Sequence, residues 1–200
     1  LPDVQGRADE FVISIVDEHY HVHQGFRTCG GKLVKVGTRE AVTAEDYAEA
    51  IGDRTAAAVF FLGQQPREQL PPIVEMAHER GVPVIVDAAA QTPLSDNFWH
   101  YTEMGADLAI FSGGKSLAGP QNTGLILGRR NLITACRMMG SPNYAIGRPM
   151  KVGREDIAGL LAALEHYLNG GEQAQVAHCE KLTEFLLERI SGIAGLSAHR

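Results

Sequence analysis

Three short segments of the sequence carry residues that could do chemistry together. Asp87 follows a short apolar run of strand length, and Lys115 follows a second apolar run through the small-residue turn Ser112-Gly-Gly. The third segment, residues 119–124, is a tight loop that leads into another strand pattern. In open α/β sheets ligands bind at the carboxyl ends of the strands, so we expect Asp87 and Lys115 to share one site.

An amine and a carboxylate at neighbouring strand ends meet the needs of pyridoxal 5'-phosphate (PLP). A lysine amine forms a Schiff base with the cofactor aldehyde, is freed when substrate takes its place, and then moves the substrate's α-proton. A carboxylate against the pyridine nitrogen keeps that nitrogen protonated and makes the ring an electron sink. We therefore predict Lys115 and Asp87 as the catalytic and cofactor-holding pair.

Small residues beside this pair suit a flat, phosphorylated ligand. Ser112 can donate a hydrogen bond to the phosphate from the turn that carries the lysine, and Ala89 is small enough to lie against the ring. Gly114, with Gly113, is expected to let the backbone approach the cofactor closely.

Ordinary structural roles compete with this interpretation. A strand-end Asp is often a cap or turn residue, and a Gly-Gly-Lys loop can simply be exposed. The main rival chemistry is a Walker-type phosphate loop, because Gly113-Gly-Lys-Ser116 ends like that motif. The earlier glycine of the motif would stand at position 109, which is Ala109. The order of the three segments favours PLP over a nucleotide.

Apolar runs and helical patterns alternate along the first part of the chain. Several strand patterns are apolar throughout, which is typical of a mostly parallel sheet covered on both faces. We predict that residues 1–140 are part of a large cofactor-binding domain. Residues 141–200 are predicted to form a linker helix and the start of a smaller C-terminal α+β domain. The predicted strands are residues 11–16, 32–36, 55–62, 82–86, 108–111 and 124–128, and the predicted helices are residues 43–51, 71–80, 154–168 and 172–190.

Composition excludes several classes of protein. The chain has 200 residues, of which 44% are hydrophobic and 21% charged, and a net charge of −6 argues against a nucleic-acid binder. Its 3 cysteines show no metal or disulfide spacing. No apolar run approaches a membrane span and no signal-peptide pattern opens the sequence, so we expect a cytoplasmic protein. Because it starts at Leu1 and stops at Arg200 just after a helical pattern, we expect a chain truncated at both ends.

The lysine segment resembles a known family. Residues 107–128, Asp107-Leu-Ala-Ile-Phe-Ser-Gly-Gly-Lys-Ser-Leu-Ala-Gly-Pro-Gln-Asn-Thr-Gly-Leu-Ile-Leu-Gly, are similar to the lysine segment of the selenocysteine synthase (L-seryl-tRNA(Sec) selenium transferase) superfamily. The resemblance extends over residues 33–168. It implies the PLP-dependent transferase (aspartate aminotransferase) fold type I, with Lys115 as the Schiff-base lysine and Asp87 as the pyridine partner.

Within the superfamily, the chain looks most like the D-glucosaminate-6-phosphate ammonia-lyase-like branch. The stretches that resemble this branch are Val86-Asp-Ala-Ala-Ala-Gln91, Phe98-Trp99, residues 102–107 and Ile146-Gly-Arg-Pro-Met-Lys-Val-Gly153. The tRNA enzymes tend to carry Thr-Thr-Asn-Arg-Thr where this chain reads Thr38-Arg-Glu-Ala-Val42, and Gly-Asp-Lys where it reads Gly-Gly-Lys. Both departures count against selenium transfer.

The resemblance also implies partners for the site. Enzymes of this fold type build their sites across a homodimer interface, where Gln121 or Thr123 is expected to reach the phosphate of the partner's cofactor. Gln91, at the end of the aspartate segment, is expected to contact the cofactor. The segment that supplies the phosphate cup in the family would precede Leu1, and much of the C-terminal domain would follow Arg200.

Two further groups of residues could bind a ligand. If the segment is a strand, His19, His21 and His23 lie on one face of it, which could suggest a metal site. Suitable carboxylate or cysteine ligands are lacking, so a loop or strand end near the cofactor mouth is preferred, where one of the three would contact cofactor or substrate. Arg148 and Lys151, with Arg154, open a predicted helix, where cations oppose the helix dipole. We predict that Arg148 and Lys151 bind the anionic end of a substrate, with a solvated helix start as the alternative.

Three functions follow from these expectations. The first is a PLP-dependent lyase acting on a small anionic amino acid by α-proton abstraction, β-elimination and ammonia release. The second is a PLP-dependent transferase of the seryl-tRNA type. The third is a degenerate chain that only packs with a partner.

Overall fold

The computed structural model describes residues 3–16, 19–63, 65–92 and 94–200. Strands and helices alternate up to residue 112, another strand follows without an intervening helix, and the elements after residue 128 are helices. The strands are β1 (Glu10–Ser14), β2 (Lys32–Val36), β3 (Thr55–Phe61), β4 (Val84–Asp87), β5 (Leu108–Ser112) and β6 (Gly124–Gly128). The α-helices are α1 (Tyr20–Thr28), α2 (Ala44–Ala50), α3 (Leu70–Glu79), α4 (Asn97–Glu103), α5 (Arg130–Met139), α6 (Arg154–His166) and α7 (Glu172–Ser191).

The strands within these ranges form a single sheet in the order β2-β1-β3-β4-β5-β6. The pairs from β2 to β5 are parallel, and β6 runs antiparallel to β5 with Ser112 opposite Gly124. The predicted α/β class with a mostly parallel sheet is confirmed. Because β1, β3, β4 and β5 run in the same direction, the loops after them gather at one edge of the sheet.

Both faces of the sheet are covered near its centre. Side chains alternate along each strand, so Phe60 enters a large core with α2, α3 and α4, whereas Phe61 enters a smaller core with Phe26 of α1. Tyr47 of α2 is fully buried and its hydroxyl donates to the carbonyl of Val59 at 2.8 Å. The apolar residues of the strands are therefore buried on both faces of the sheet, as their sequence pattern predicted.

Most predicted elements are present, and the helix start at Thr43 has the predicted form. Thr43 Oγ1 accepts from the Asp46 amide, and the Asp46 carboxylate accepts from the Thr43 amide at 2.7 Å. The two long C-terminal helices are joined through the π-helical segment Tyr167–Gly171 with a kink at Gly170, whose φ is 106°. The predicted division into residues 1–140 and 141–200 stays a prediction.

The sequence did not predict α1, α4 and α5. The alternation of His19, His21 and His23 resembles a strand, but His21 and His23 lie on α1 and His19 is its N-terminal cap. The fully buried His23 lies 6.4 Å from the ring of Phe61. The alternation of histidines with other residues was therefore a misleading signal for a strand. Packing against β3 stabilises a helix in this segment instead. The prediction that these histidines lie in a loop or at a strand end is wrong, because they belong to the start of a helix.

Within the described ranges, no helix is both long enough and apolar enough to cross a membrane.

Candidate active site

Lys115 and Asp87 line the same cavity, which has a volume of about 340 Å³. The cavity opens at the edge of the sheet where the parallel strands end. Its walls come from the start of α1 and from the loops after β3, β4 and β5. The lining residues are His19, His21, Val22, Phe61, Leu62, Gly63, Asp87, Ala89, Ala90 and Lys115.

Asp87 is the last residue of β4 and is held from both sides. In the sheet register it lies opposite Phe61 of β3 and Ile110 of β5. Its carbonyl accepts from the Leu62 amide at 3.1 Å, and its Oδ1 accepts from the amide of Ala89 at 3.0 Å. The half-buried carboxylate is thus fixed at the cavity wall by backbone contacts.

Lys115 lies in the turn that follows β5, and its side chain is exposed at the cavity. The turn is closed by the Ala118 amide, which donates to the Lys115 carbonyl at 2.8 Å. The next side chain, Ser116, donates its hydroxyl to the carbonyl of Thr92 at 3.0 Å. The lysine turn is therefore attached to the segment that follows Asp87.

The loop of residues 119–124 packs directly beneath the lysine turn. The Gly113 amide donates to the Thr123 carbonyl at 3.0 Å, and Gln121 Nε2 donates to the Gly114 carbonyl at 2.7 Å. A Cβ atom on Gly113 would clash with Thr123 Oγ1, and one on Gly114 would clash with the Gln121 backbone. The two glycines are needed for this packing, a reason that the sequence interpretation had not given.

Only some of the predicted cofactor residues line the cavity. Ala89 lines it together with Asp87 and Lys115. The others lie outside the lining: Gln91, Ser112, Gly114, Gln121 and Thr123. Thr123 is 8% exposed and donates its hydroxyl to the Pro120 carbonyl at 2.6 Å, so it stabilises its own loop. Gln121 is exposed beside the lysine turn.

The predicted substrate residues also lie outside the cavity lining. Arg148 is in the 3-10 turn Arg148–Met150, and its guanidinium donates to Ser141 Oγ at 3.4 Å. Lys151 follows that turn and is exposed.

The sequence interpretation missed several lining residues, among them Phe61, Leu62 and Gly63, but it did predict His19 and His21 near the cofactor mouth. The rings of His19 and Phe61 meet edge to face with centroids 5.6 Å apart, and His21 lies 5.8 Å from His19. Leu62 and Gly63 continue β3 into the wall. The position of Phe61 to Gly63 at the end of a buried strand was the signal that could have identified them. In the part of the chain that the structure describes, no three His, Cys, Asp or Glu side chains are grouped as metal ligands.

The fold and this cavity define an α/β protein whose candidate site lies at the carboxyl ends of a mostly parallel sheet. Residues 16–191 match the family model described as L-seryl-tRNA selenium transferase (SelA), and the chain belongs to that family of enzymes.

The curated relatives of this chain have different enzymatic activities. A 5'-C-glycyluridine monooxygenase-decarboxylase from Streptomyces is 39% identical over 99% of this chain and 50% of its own length. A D-glucosaminate-6-phosphate ammonia lyase from Salmonella typhimurium is 33% identical over 99% of the chain and 52% of its own length. An L-seryl-tRNA(Sec) selenium transferase from Moorella thermoacetica is 31% identical over 70% of the chain and 32% of its own length. The chain thus spans about half the length of the first two relatives.

Solved structures agree with this assignment. A D-glucosaminate-6-phosphate ammonia-lyase structure matches 98% of this chain and 52% of its own, with a TM-score of 0.75 and 32% identity. A structure of a complex of SepCysS with the SepCysE N-terminal domain matches 98% of the chain with a TM-score of 0.64 at 17% identity, which supports the fold alone. The resemblance to the ammonia-lyase branch is confirmed.

Proposed function

We propose that this chain carries the cofactor-holding half of a PLP-dependent lyase that acts on a small anionic amino acid, similar to D-glucosaminate-6-phosphate ammonia lyase. The observation that carries the proposal is that Lys115 and Asp87 line one cavity at the carboxyl ends of the parallel strands. The membership of the family and the likeness to the ammonia lyase support it.

The donor set of the cavity fits PLP. Its volume of about 340 Å³ suits a small ligand, and its wall combines an amine, a carboxylate, small alanines and aromatic rings. Lys115 would hold the aldehyde carbon, Asp87 would face the pyridine nitrogen, and Ala89 would leave room for the flat ring. When bound, PLP would supply an electron sink for charge that develops at the substrate's α-carbon.

The residues of the chain would move protons around that carbon. Lys115 Nζ would take the α-proton of the substrate, which requires its amine to be unprotonated at that moment. The Asp87 carboxylate would hold a proton on the ring nitrogen. His19 and His21 are the other titratable side chains of the described lining, and one of them would return a proton to the departing β-group. Water would then replace the substrate nitrogen at the α-carbon, and ammonia would leave.

The remaining predicted contacts are part of the same proposal. Ser112, Gly114 and Gln121 surround the lysine turn and would meet the phosphate end of the cofactor, with Gln121 acting on the cofactor of a second copy. Arg148 and Lys151 would hold the anionic end of the substrate. Because they lie outside the lining of their own chain's cavity, we assign them to the site of the partner copy in a homodimer.

A second candidate is oxidative decarboxylation. It is favoured by the 39% identity to the 5'-C-glycyluridine monooxygenase-decarboxylase. In that reaction the α-carboxylate, instead of the α-proton, would leave the substrate. Oxygen consumption coupled to CO₂ release would identify this candidate, whereas ammonia release without oxygen consumption would identify the lyase. Selenium transfer is less supported, because the relatives that perform it match a smaller share of the chain.

The cofactor assignment can be tested in the full-length protein. Reduction with borohydride should leave a pyridoxyl label on the peptide that contains Lys115, and Lys115→Ala should abolish the label. Lys181→Ala on the exposed surface of α7 is the matched control and should label like the unaltered protein. A label on a different lysine, or none at all, would contradict the assignment.

A further inference from the structure

We propose that Gln91 and Thr92 form a hub that sets the position of Asp87 relative to Lys115, and that Gln91 and Ser116 are positioning residues of the site. The proposal deepens the proposed function and rests on it for the identity of the ligand. The last residues of β3 and β4, Phe61 and Asp87, reach the cavity within the sheet, whereas the loops that continue them and the turn that carries Lys115 extend beyond it. The spacing of those loops and of the lysine turn must be set by contacts other than the strand ladder.

The side chain of Gln91 connects the β4 loop to the β3 loop. Its Nε2 donates to the carbonyl of Leu62 at 2.8 Å, and Leu62 is part of the cavity wall. Its Oε1 accepts from the Tyr101 hydroxyl at 3.4 Å. Tyr101 is fully buried, and burial raises the pKa of its hydroxyl, so it remains a donor. Both ends of the amide are therefore occupied by protein atoms.

The backbone of the hub is held from two other directions. Asn97 Nδ2 donates to the Gln91 carbonyl at 2.5 Å from the first turn of α4. Ser116 Oγ donates to the Thr92 carbonyl at 3.0 Å, and Ser116 is the neighbour of Lys115. Asn97 and Thr92 are 7% and 6% exposed, so water competes little for these bonds.

These contacts change the expected role of Gln91. An amide whose two ends bond to Leu62 and Tyr101 acts on the cavity through its walls. It was expected to touch the cofactor, yet it lies outside the lining. Only a side chain that donates and accepts at once can make both bonds. A carboxylate at this position would face the Leu62 carbonyl without a proton to give.

The first experiment uses Gln91→Leu and Ser116→Ala in the full-length protein. Each should weaken PLP binding by roughly tenfold or more, since Ser116→Ala loses one hydrogen bond and Gln91→Leu loses two. Each should also shift the pH midpoint of the bound cofactor's visible absorption. Ser116→Thr keeps the hydroxyl and should restore both properties. Gln173→Leu, an exposed amide on α7, is the control and should change neither.

The second measurement tests the positioning role of Gln91 independently of which ligand the cavity binds. Without cofactor, Gln91→Leu should speed hydrogen exchange in peptides that contain Leu62 or Ser116, because the three loops lose a common attachment. If the unaltered protein fails to bind PLP but hydrogen exchange in these peptides is faster in Gln91→Leu, the hub is supported and the proposed function is wrong. If both variants keep the PLP affinity and absorption midpoint of the unaltered protein, the hub is overturned even where their thermal stability falls.

Discussion

Asp107 directly precedes β5 and therefore lies at the amino ends of the parallel strands, on the side of the sheet away from the cavity. It is 1% exposed and accepts hydrogen bonds from His78 Nε2 at 2.8 Å, from the Arg129 guanidinium at 2.7 Å and from the Val84 amide at 2.7 Å. Burial acts to raise the pKa of Asp107, but the bonds from Arg129, His78 and Val84 outweigh it and hold that pKa below its ordinary value. One carboxylate thereby joins α3, β4, β5 and the segment after β6.

At the residue scale, Asp107→Asn should destabilise the protein by about 1.5–3 kcal/mol at neutral pH, because bonds to a buried charge are weakened. The lowered pKa makes the contribution of Asp107 fully present above its unfolded pKa of about 3.9, and lost as the pH falls through the folded value. The measurement is denaturant unfolding from pH 7 to pH 3. The deficit of the variant should shrink toward the acid end, while exposed Asp53→Asn should show no deficit.

The lysine turn, the loop of residues 119–124 and helix α6 act as one packed unit. Leu160 of α6 lies against the Cβ position of Gly113, and Gly159 lies against the ring of Pro120. Asn122 donates to the Asp156 carboxylate at 2.8 Å, which ties the loop to the first turn of α6. The turn that carries Lys115 is therefore shaped by elements that follow it in sequence.

At the element scale, Gly113→Ala should force Thr123 and the loop beneath it to move. Overpacking of this kind costs about 1–3 kcal/mol of unfolding free energy and should also weaken PLP binding, because the lysine turn shifts. Thermal unfolding and cofactor titration measure the two effects. Gly52→Ala is the matched control, since nothing lies within 4 Å of its Cβ position. Equal behaviour of the two variants would show that the packing beneath the turn is unimportant.

At the scale of the whole molecule, the predicted anion-binding residues Arg148 and Lys151 are not among the residues that line the cavity. The region around Arg148 also exposes large apolar side chains: Tyr144 is fully exposed and Met150 is 65% exposed. A cation among exposed apolar groups is typical of a surface that meets another protein surface. This supports the proposal that Arg148 serves the cavity of a second copy.

At this scale, Arg148→Ala should raise KM for an anionic substrate roughly ten- to a hundredfold, the value of one charged hydrogen-bonded contact of about 1.5–3 kcal/mol. Cofactor labelling of Lys115 should be unchanged. Co-expression of Lys115→Ala with Arg148→Ala should recover activity in mixed dimers, because one site then has both residues. Recovery should be absent if each chain uses its own Arg148, and the dimer assignment would then be wrong.

The sequence by itself determined the strands and the meeting of Asp87 with Lys115. Short continuous apolar runs bounded by turn residues indicate buried central strands, and the carboxyl ends of parallel strands lie at the same side of the sheet, so a strand-end acid and a strand-end amine were expected at one site. The helix start at Thr43 was readable because a capping box is a local pattern.

Only the tertiary structure showed which way the side chains in the loops point and why particular positions require small residues. Gln91 turns toward Leu62, 29 residues earlier, and Asp107 receives His78 and Arg129 from 29 and 22 residues away. Gly113 is required by Thr123 and Leu160, and α1 is a helix whose inner residues Val22 and Phe26 pack against the cluster that contains Phe61. These outcomes depend on contacts between distant segments. The residues of a segment and their spacing set its local preference for helix or strand. They do not determine which distant residues pack against it in the folded chain.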